Sequence, residues 1–347
     1  MHPPVFLCGT SRSGTSVIQA ALEKDPRCSI TGETHYFDDL RVKLREAVAR
    51  PLSPDEIKQA EEYFMALTHR PYGHGGVPGK GWLKSGELNR KLDGEPATLD
   101  GLFLAYNSLY AENRGAQWGG EKTPRHVFRI PEIFEVCPTA RVIFMLRDPR
   151  AVVASYRDWK AMGGLESDPG HERALHDEST RTSGSYHPVT IALLWKAALA
   201  AALQAREQFG ADRVRIQSYE QVVLNPDEEL ANLFDWLGAP QPENMSDVPT
   251  QNSSYDAYKE GGGFRTSAVT RWKRMLGPGE VRVVEQAAGP LLQGAGYATA
   301  CSGGKLAALG YWLTFVPAAI RAARKNSARS GNFLAYVLRR GRLVLGR

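Results

Sequence analysis

A chain of 347 residues with 42% apolar and 23% charged positions holds enough hydrophobic material for a full α/β core, and does not have the composition of a disordered chain. Its four cysteines (Cys8, Cys28, Cys137, Cys301) are scattered and form no C-x-x-C pair, which excludes a disulfide frame or a zinc ribbon and fits a reducing compartment. The net charge of +5 is uneven: nine Lys or Arg and no acid fall between Gly303 and Arg347, which leaves 34 basic against 38 acidic residues, a net of −4, in the first 302.

The chain enters a strand at Val5–Cys8 with no charged and apolar leader before it, so a cytoplasmic location is expected. The run breaks into Gly9-Thr10-Ser11-Arg12-Ser13-Gly14-Thr15-Ser16, and helical spacing follows through Val17, Ile18, Ala21 and Leu22. Cys28 to Asp38 reads as an extended segment ending in polar residues. Residues 40–70 carry two helical patterns separated by Pro51 and Pro54, with Ser53 as a candidate N-cap. Residues 71–81 are loop by composition, and Leu99 to Asn113 reads as a helix.

Trp118 to Lys122 reads as a short strand, followed by a helix over about 125–136. Arg141 to Arg147 contains five consecutive apolar residues and is the clearest buried strand. Pro149 suits the first turn of the helix after it. Residues 162–186, rich in Gly, Ser, Asp and His, read as a mobile loop. Val189 to Phe209 predicts a long helix, Val214 to Tyr219 a strand, Pro226 to Leu237 a helix, 239–263 irregular chain, and Gly279 to Leu292 a closing helix. Strands alternating with helices predict an α/β fold with a mainly parallel sheet covered by helices on both faces. Ligands of such folds sit at the carboxyl ends of the strands.

The first loop is spaced as a P-loop, G-x-x-x-x-G-K-[ST], with Thr15 where the lysine belongs. Strand, glycine-bounded loop and helix aim backbone N–H groups and a positive helix end at an anion. The cation has moved into the loop as Arg12, and Thr15 and Ser16 add hydroxyls. Arg147 ends the buried strand, and Ser155 lies eight residues on in the next helix. A guanidinium fork and a hydroxyl so placed suit a second phosphate.

At these residues the sequence resembles sulfotransferases that use 3′-phosphoadenosine 5′-phosphosulfate (PAPS). Thr10 to Ser16 resembles their 5′-phosphosulfate loop, and Arg147 to Ser155 their 3′-phosphate motif. Glu33-Thr34-His35-Tyr36-Phe37-Asp38 is similar to the E-x-H-F-F-D segment of heparan sulfate sulfotransferases, and Glu121-Lys122-Thr123-Pro124 to their E-K-T-P. Gly32-Glu33-Thr34 and Thr270-Arg271-Trp272 are similar to segments of tyrosylprotein sulfotransferases, with Thr270 in place of a serine. The motifs keep family order from residue 5 to about 275.

The resemblance implies a P-loop-type fold, a sulfotransferase domain over 1–300 and transfer of a sulfuryl group from PAPS to an acceptor hydroxyl, with no metal. Glu33 would be the general base, His35 its rival or its orienting partner, and Lys122 the group that stabilises the bridging oxygen. Arg12, Ser13, Gly14, Thr15 and Ser16 would hold the 5′-phosphosulfate, Arg12 serving in catalysis too, and Arg147 and Ser155 the 3′-phosphate. Arg265, Thr270 and Arg271 would close over the nucleotide. The acceptor is a small molecule, glycan or lipid, bearing a sugar, phenolic or lipid-linked hydroxyl; nucleic acid is not implied.

Two other readings remain at this stage. A P-loop kinase would use ATP and Mg²⁺ on a small hydroxylated substrate, with Asp148 holding the metal; Thr15 in the lysine slot opposes it. A membrane-held nucleotide-binding protein without catalysis would have no use for both Glu33 and Lys122. The tail over 301–347 reads as basic and amphipathic. Leu306 to Ile320, broken by Gly310 and Pro317, is too short to span a bilayer, and with the second apolar stretch from Phe333 to Leu338 it suits the membrane surface.

Overall fold

The computed structural model describes residues 2–68, 81–161, 186–248 and 264–330. In chain order the elements are β1 (Val5–Gly9), α1 (Thr15–Leu22), β2 (Cys28–Thr31), α2 (Leu40–Lys43), α3 (Pro54–Leu67), α4 (Glu87–Lys91), α5 (Leu99–Glu112) and β3 (Trp118–Lys122). Then come α6 (Ile130–Val136), β4 (Arg141–Leu146), α7 (Pro149–Ala161), α8 (Pro188–Phe209), β5 (Val214–Ser218), α9 (Tyr219–Leu224) and α10 (Pro226–Leu237). The last are α11 (Ser267–Thr270), α12 (Trp272–Met275), α13 (Pro278–Ala288), α14 (Pro290–Gly294) and α15 (Lys305–Ser330).

The five strands form one sheet in the order β2-β3-β1-β4-β5, with every pair parallel. From β1 the chain passes to the edge strand β2, returns to β3 beside β1, and then crosses to β4 and β5 on the other side. That reversal beside β1 makes its carboxyl end the crevice of the fold.

Strand periodicity divides the core in two. Phe6, Cys8, Val142 and Phe144 face one side with residues of α5, α7, α8 and α13. Val5, Leu7, Ile143 and Met145 face the other with residues of α1, α9 and α10. A central strand must therefore be apolar at every position, which is why Val142 to Met145 run without a polar break. Helix α3 starts where Ser53 accepts the Glu56 N–H in a capping box, with Pro54 in its first turn.

Several expected helices are interrupted for local reasons. The segment expected over 125–136 begins as a 3₁₀ helix, Pro124–Arg129, because Pro131 has no N–H and starts a new α-helix instead. The closing helix divides at Gly289 (φ 61°) and Pro290. The first pattern after residue 40 is only α2 and a 3₁₀ turn, Arg45–Ala47.

The tail corrects the reading in the other direction. Gly310 and Pro317 do not break it: α15 runs 26 residues through both. Pro317 is on the exposed side, and packing of Ala308 and Ala323 into the body offsets the backbone bond it removes. Gly279 makes that packing possible, since a Cβ there would lie 2.5 Å from the Ala307 Cβ. The segments 71–80, 162–185, 249–263 and Phe333 to Leu338, read above as loops and as a second apolar stretch, lie outside the described residues.

Strand β3 has two glycines where strand propensity is poor, and sheet spacing requires them. A Cβ on Gly119 would stand 1.9 Å from the Ser29 carbonyl oxygen, and one on Gly120 1.8 Å from that of Val5. Gly120→Ala should therefore destabilise by about 3 kcal/mol, the upper end for overpacking. Gly294→Ala, into open space, should stay within about 0.5 kcal/mol. Urea midpoints of the two variants check this contrast.

Candidate active site

The sheet order lays the chemistry-bearing residues side by side. Thr31 pairs with Glu121, Leu7 with Lys122, Gly9 with Met145, and Leu146 with Ser218. The strand ends step forward from β2 to β4, and their exits present Glu33, Lys122, the loop after Gly9, Arg147 and Tyr219 in that order along one edge. Neighbouring exits are about 4.8 Å apart, so this row spans four such steps.

The loop is shaped by backbone. Arg12 (φ 72°) and Gly14 (φ 95°) are both left-handed, and the Ser13 N–H bonds back to the Thr10 carbonyl at 3.0 Å. A Cβ on Gly14 would sit 2.4 Å from the Tyr219 ring, so glycine is needed both for its φ and for this contact. Thr15 is buried in the first turn of α1, and Ser16 is half-buried beside it. Thr10 Oγ1 and Ser13 Oγ are buried with no hydrogen-bond partner among the described residues, and so is Arg147 Nε. Buried donors left unpaired are costly, and two in the loop before α1 with a third at the neighbouring strand exit fit an anion.

Arg147 and Ser155 join this loop. The Arg12 Nε–H donates to Ser155 Oγ at 3.1 Å, and Arg147 Nη1 donates to the Arg12 carbonyl at 2.9 Å. The Arg147 guanidinium lies 4.1 Å from the Tyr219 ring centre, and its Nη2 donates to the Ala268 carbonyl in α11 at 3.4 Å. The 264–276 segment therefore reaches the site through its backbone. Arg265 is half-buried there, Thr270 is exposed, and Arg271 is directed to Asp158 of α7 at 3.4 Å. Of the three residues expected to close over the nucleotide, Arg271 is engaged by a carboxylate and Thr270 faces solvent.

At the other end of the row, Lys122 Nζ donates to Glu33 Oε1 at 2.9 Å, and His35 Nε2 lies 3.4 Å from Glu33 Oε2. Burial pushes the Glu33 carboxyl up, but the Lys122 charge and the His35 contact outweigh it and hold it well below the usual carboxylate range. His35, left-handed at φ 53°, sits beside the carboxylate.

Behind this pair lies Glu121, 1% exposed. It accepts from the Thr34 N–H at 3.2 Å, the Thr34 hydroxyl, and the Thr123 hydroxyl at 2.5 Å, and it faces His126 Nδ1 at 3.1 Å. The Tyr63 hydroxyl donates to the Thr34 carbonyl, which fixes the same turn from α3. Burial raises Glu121, yet His126 and the two threonines leave it below its ordinary value. Burial likewise raises Asp38, which Arg125, His126 and Arg129 bring to about 2.

Glu121, Thr34, Tyr63 and Tyr219 escaped the sequence reading as site builders. Glu121 stood inside a quoted motif, but only the fold shows that its side chain is the anchor. Tyr219, directly after a strand at the crevice, had a positional signal. The site also gives a pH prediction. Glu33, Asp38 and Glu121 are depressed in the folded chain, so their stabilisation is complete above the unfolded carboxylate pKa of about 4. It is lost as pH falls below that toward the folded values. Thermal midpoints should hold from neutral pH and drop steeply under pH 4. Glu121→Ala should cost about 3 kcal/mol or more at neutral pH and flatten the acid slope.

A model of the Sulfotransferase family matches residues 3–243. No curated protein sequence matches the chain. Among solved structures, the chain is similar to the sulfotransferase domain of the Synechococcus PCC 7002 olefin synthase, at 17% identity over 85% of this chain and 95% of that one, TM-score 0.48. The sulfotransferase domain from the curacin biosynthetic pathway is similar at 14% identity over 86% and 99%, TM-score 0.48. The sulfotransferase from Alicyclobacillus acidocaldarius is similar at 18% identity over 72% and 85%, TM-score 0.39. These scores are too low to add to the argument, which rests on the family model and its span of 3–243. The chain belongs to the sulfotransferase family.

Proposed function

We propose that this sulfotransferase uses PAPS as donor and moves its sulfuryl group to an acceptor hydroxyl, with Glu33 as general base. The observation that carries this reading is the row along the sheet edge: carboxylate, lysine, anion loop, then a second cation with a hydroxyl. An elongated donor with a reacting sulfate at one end and a 3′-phosphate at the other needs that sequence of groups.

PAPS, when bound, supplies the sulfuryl group and a phosphate leaving group. The unpaired Thr10 and Ser13 hydroxyls, with Arg12, Gly14, Thr15, Ser16 and the start of α1, would hold the 5′ end. Arg147 and Ser155 would select the 3′-phosphate, a group that ATP lacks. Lys122 would supply a positive charge to the bridging oxygen as that oxygen takes up the electrons of its breaking bond to sulfur. Glu33 receives the acceptor's proton as the new oxygen–sulfur bond forms. A carboxylate held ionised by Lys122 is a weak base. Once Lys122 shares its ammonium with the donor, that hold relaxes and Glu33 gains proton affinity. Base and cation are thus tuned by the same ion pair.

The kinase alternative loses its metal ligand. Asp148 is 5% exposed and bound by Arg150 Nε at 2.9 Å and Nη2 at 2.8 Å. Arg150 in turn reaches Glu285 at 2.7 Å, so Asp148 is committed to a buried structural cluster.

Labelled sulfate transfer from PAPS into extracts of the source cells tests the activity. Glu33→Gln should lower it by about 10²–10⁴-fold and Lys122→Met by about 10²–10³-fold. Both variants should keep thermal stabilisation by 3′-phosphoadenosine 5′-phosphate (PAP), whereas the pair Arg147→Ala and Ser155→Ala should lose it. Stabilisation by ATP with Mg²⁺ and not by PAP would favour the kinase. An active Glu33→Gln, Lys122→Met double variant would overturn the mechanism.

A further inference from the structure

Helix α15 has two unlike faces. One is docked on the body: Ala308 and Ala323 are buried, His187 Nε2 meets Thr314 Oγ1 at 3.3 Å, and Trp312 Nε1 donates to Gln286 at 3.0 Å. The other presents Leu306, Leu309, Leu313, Val316 and Ile320, which are 86%, 54%, 72%, 59% and 43% exposed. These five follow one another at spacings of three and four, a continuous stripe along one side of the helix. They make up half of the ten exposed large hydrophobics among the described residues. Isolated exposed leucines need no explanation, but a contiguous stripe does.

Charge says what covers the stripe. From Gly303 to Arg347 the chain has nine basic residues and no acid, while the first 302 residues carry a net of −4. Lys305 precedes the stripe, and Arg321 and Arg324 follow it. An apolar face bracketed by cations, on a segment free of carboxylates, complements an anionic lipid surface. A second copy of the chain fits less well. Two such stripes would bring like charges together, and the pattern lasts two heptads where a coiled-coil seam needs three or four.

We propose that α15 lies in the plane of an anionic membrane surface, with the Leu306–Ile320 stripe set among the lipids and the body held above it. The segment Lys305–Arg324 is long and apolar enough to cross a bilayer, with mean hydropathy 1.4 and 11% of it buried. Its docked face rules that orientation out, since Ala308, Ala323 and Thr314 would have to leave the body. The stripe itself covers about 21 Å, less than the roughly 30 Å of a hydrocarbon core. Lipid contact is therefore lateral.

Co-sedimentation of the full chain with vesicles tests this. Vesicles of phosphatidylcholine with phosphatidylserine should pellet the protein, phosphatidylcholine alone should pellet far less, and added salt should release it. The triple variant Leu309→Glu, Leu313→Glu, Val316→Glu changes exposed positions only. It should bind the mixed vesicles about tenfold more weakly or less while keeping the wild-type thermal midpoint and its shift with PAP. Equal recovery of wild type and variant in the pellet overturns the proposal. So does wild type left in the supernatant, whether light scattering then shows a dimer that the variant breaks or a monomer whose own last residues cover the stripe. The vesicle and light-scattering readouts do not depend on the donor or on sulfate transfer.

Discussion

Glu121 is a carboxylate placed where a sheet normally has none, and the site follows from the bonds that make this tolerable. Removing a carboxylate from water costs several kcal/mol unless its lone pairs are met. Here they are met by Thr34, Thr123 and His126, from the exit of β2, the exit of β3 and the 3₁₀ turn beyond. The chain after β2 is thereby held against β3, and Glu33 falls over Lys122. The same bonds retain His35 at φ 53°, a conformation that costs a residue with a Cβ on the order of 1–3 kcal/mol and persists only where its surroundings enforce it. The geometry of the Glu33–Lys122 pair is thus inherited from a buried hydrogen-bond network behind it.

The two halves of the edge use charge differently. Around Glu33 and Lys122 the charges cancel. Around the loop, Arg12 and Arg147 are held by neutral partners: a serine hydroxyl, two backbone carbonyls and the face of Tyr219. Cations held at the mouth of the loop by such contacts are oriented before an anion arrives. Asp148, adjacent in sequence to Arg147, is paired with Arg150 at 2.8 Å.

Much of this was legible in the residues. The apolar run of β4, the Ser53 cap and the strand–helix alternation each have one local cause, and all three appear as read. The ordered motifs also led to the correct family. The failures are instructive because each depends on a contact distant in sequence. The length of α15 is set by packing against Gly279 and its neighbours, which outweighs Gly310 and Pro317. β3 is the strand its residues predict, but the reason for its two glycines, the carbonyls of Val5 and Ser29, lies far off in the chain. Glu121 reads as one more polar letter until the sheet buries it.

Helix α8 gives the arrangement one more property. Trp195 in its second turn donates to the Arg147 carbonyl at 2.8 Å, and His187, the residue that precedes the helix, touches Thr314 of α15. The two contacts are about 12 Å apart along one helix, a length over which a packed helix is stiff. The carboxyl edge of the sheet and the tail therefore share a mechanical element. Any free energy that α8 transmits between them acts equally in both directions, so a change in how the tail is seated and a change in how Arg147 is engaged are thermodynamically reciprocal.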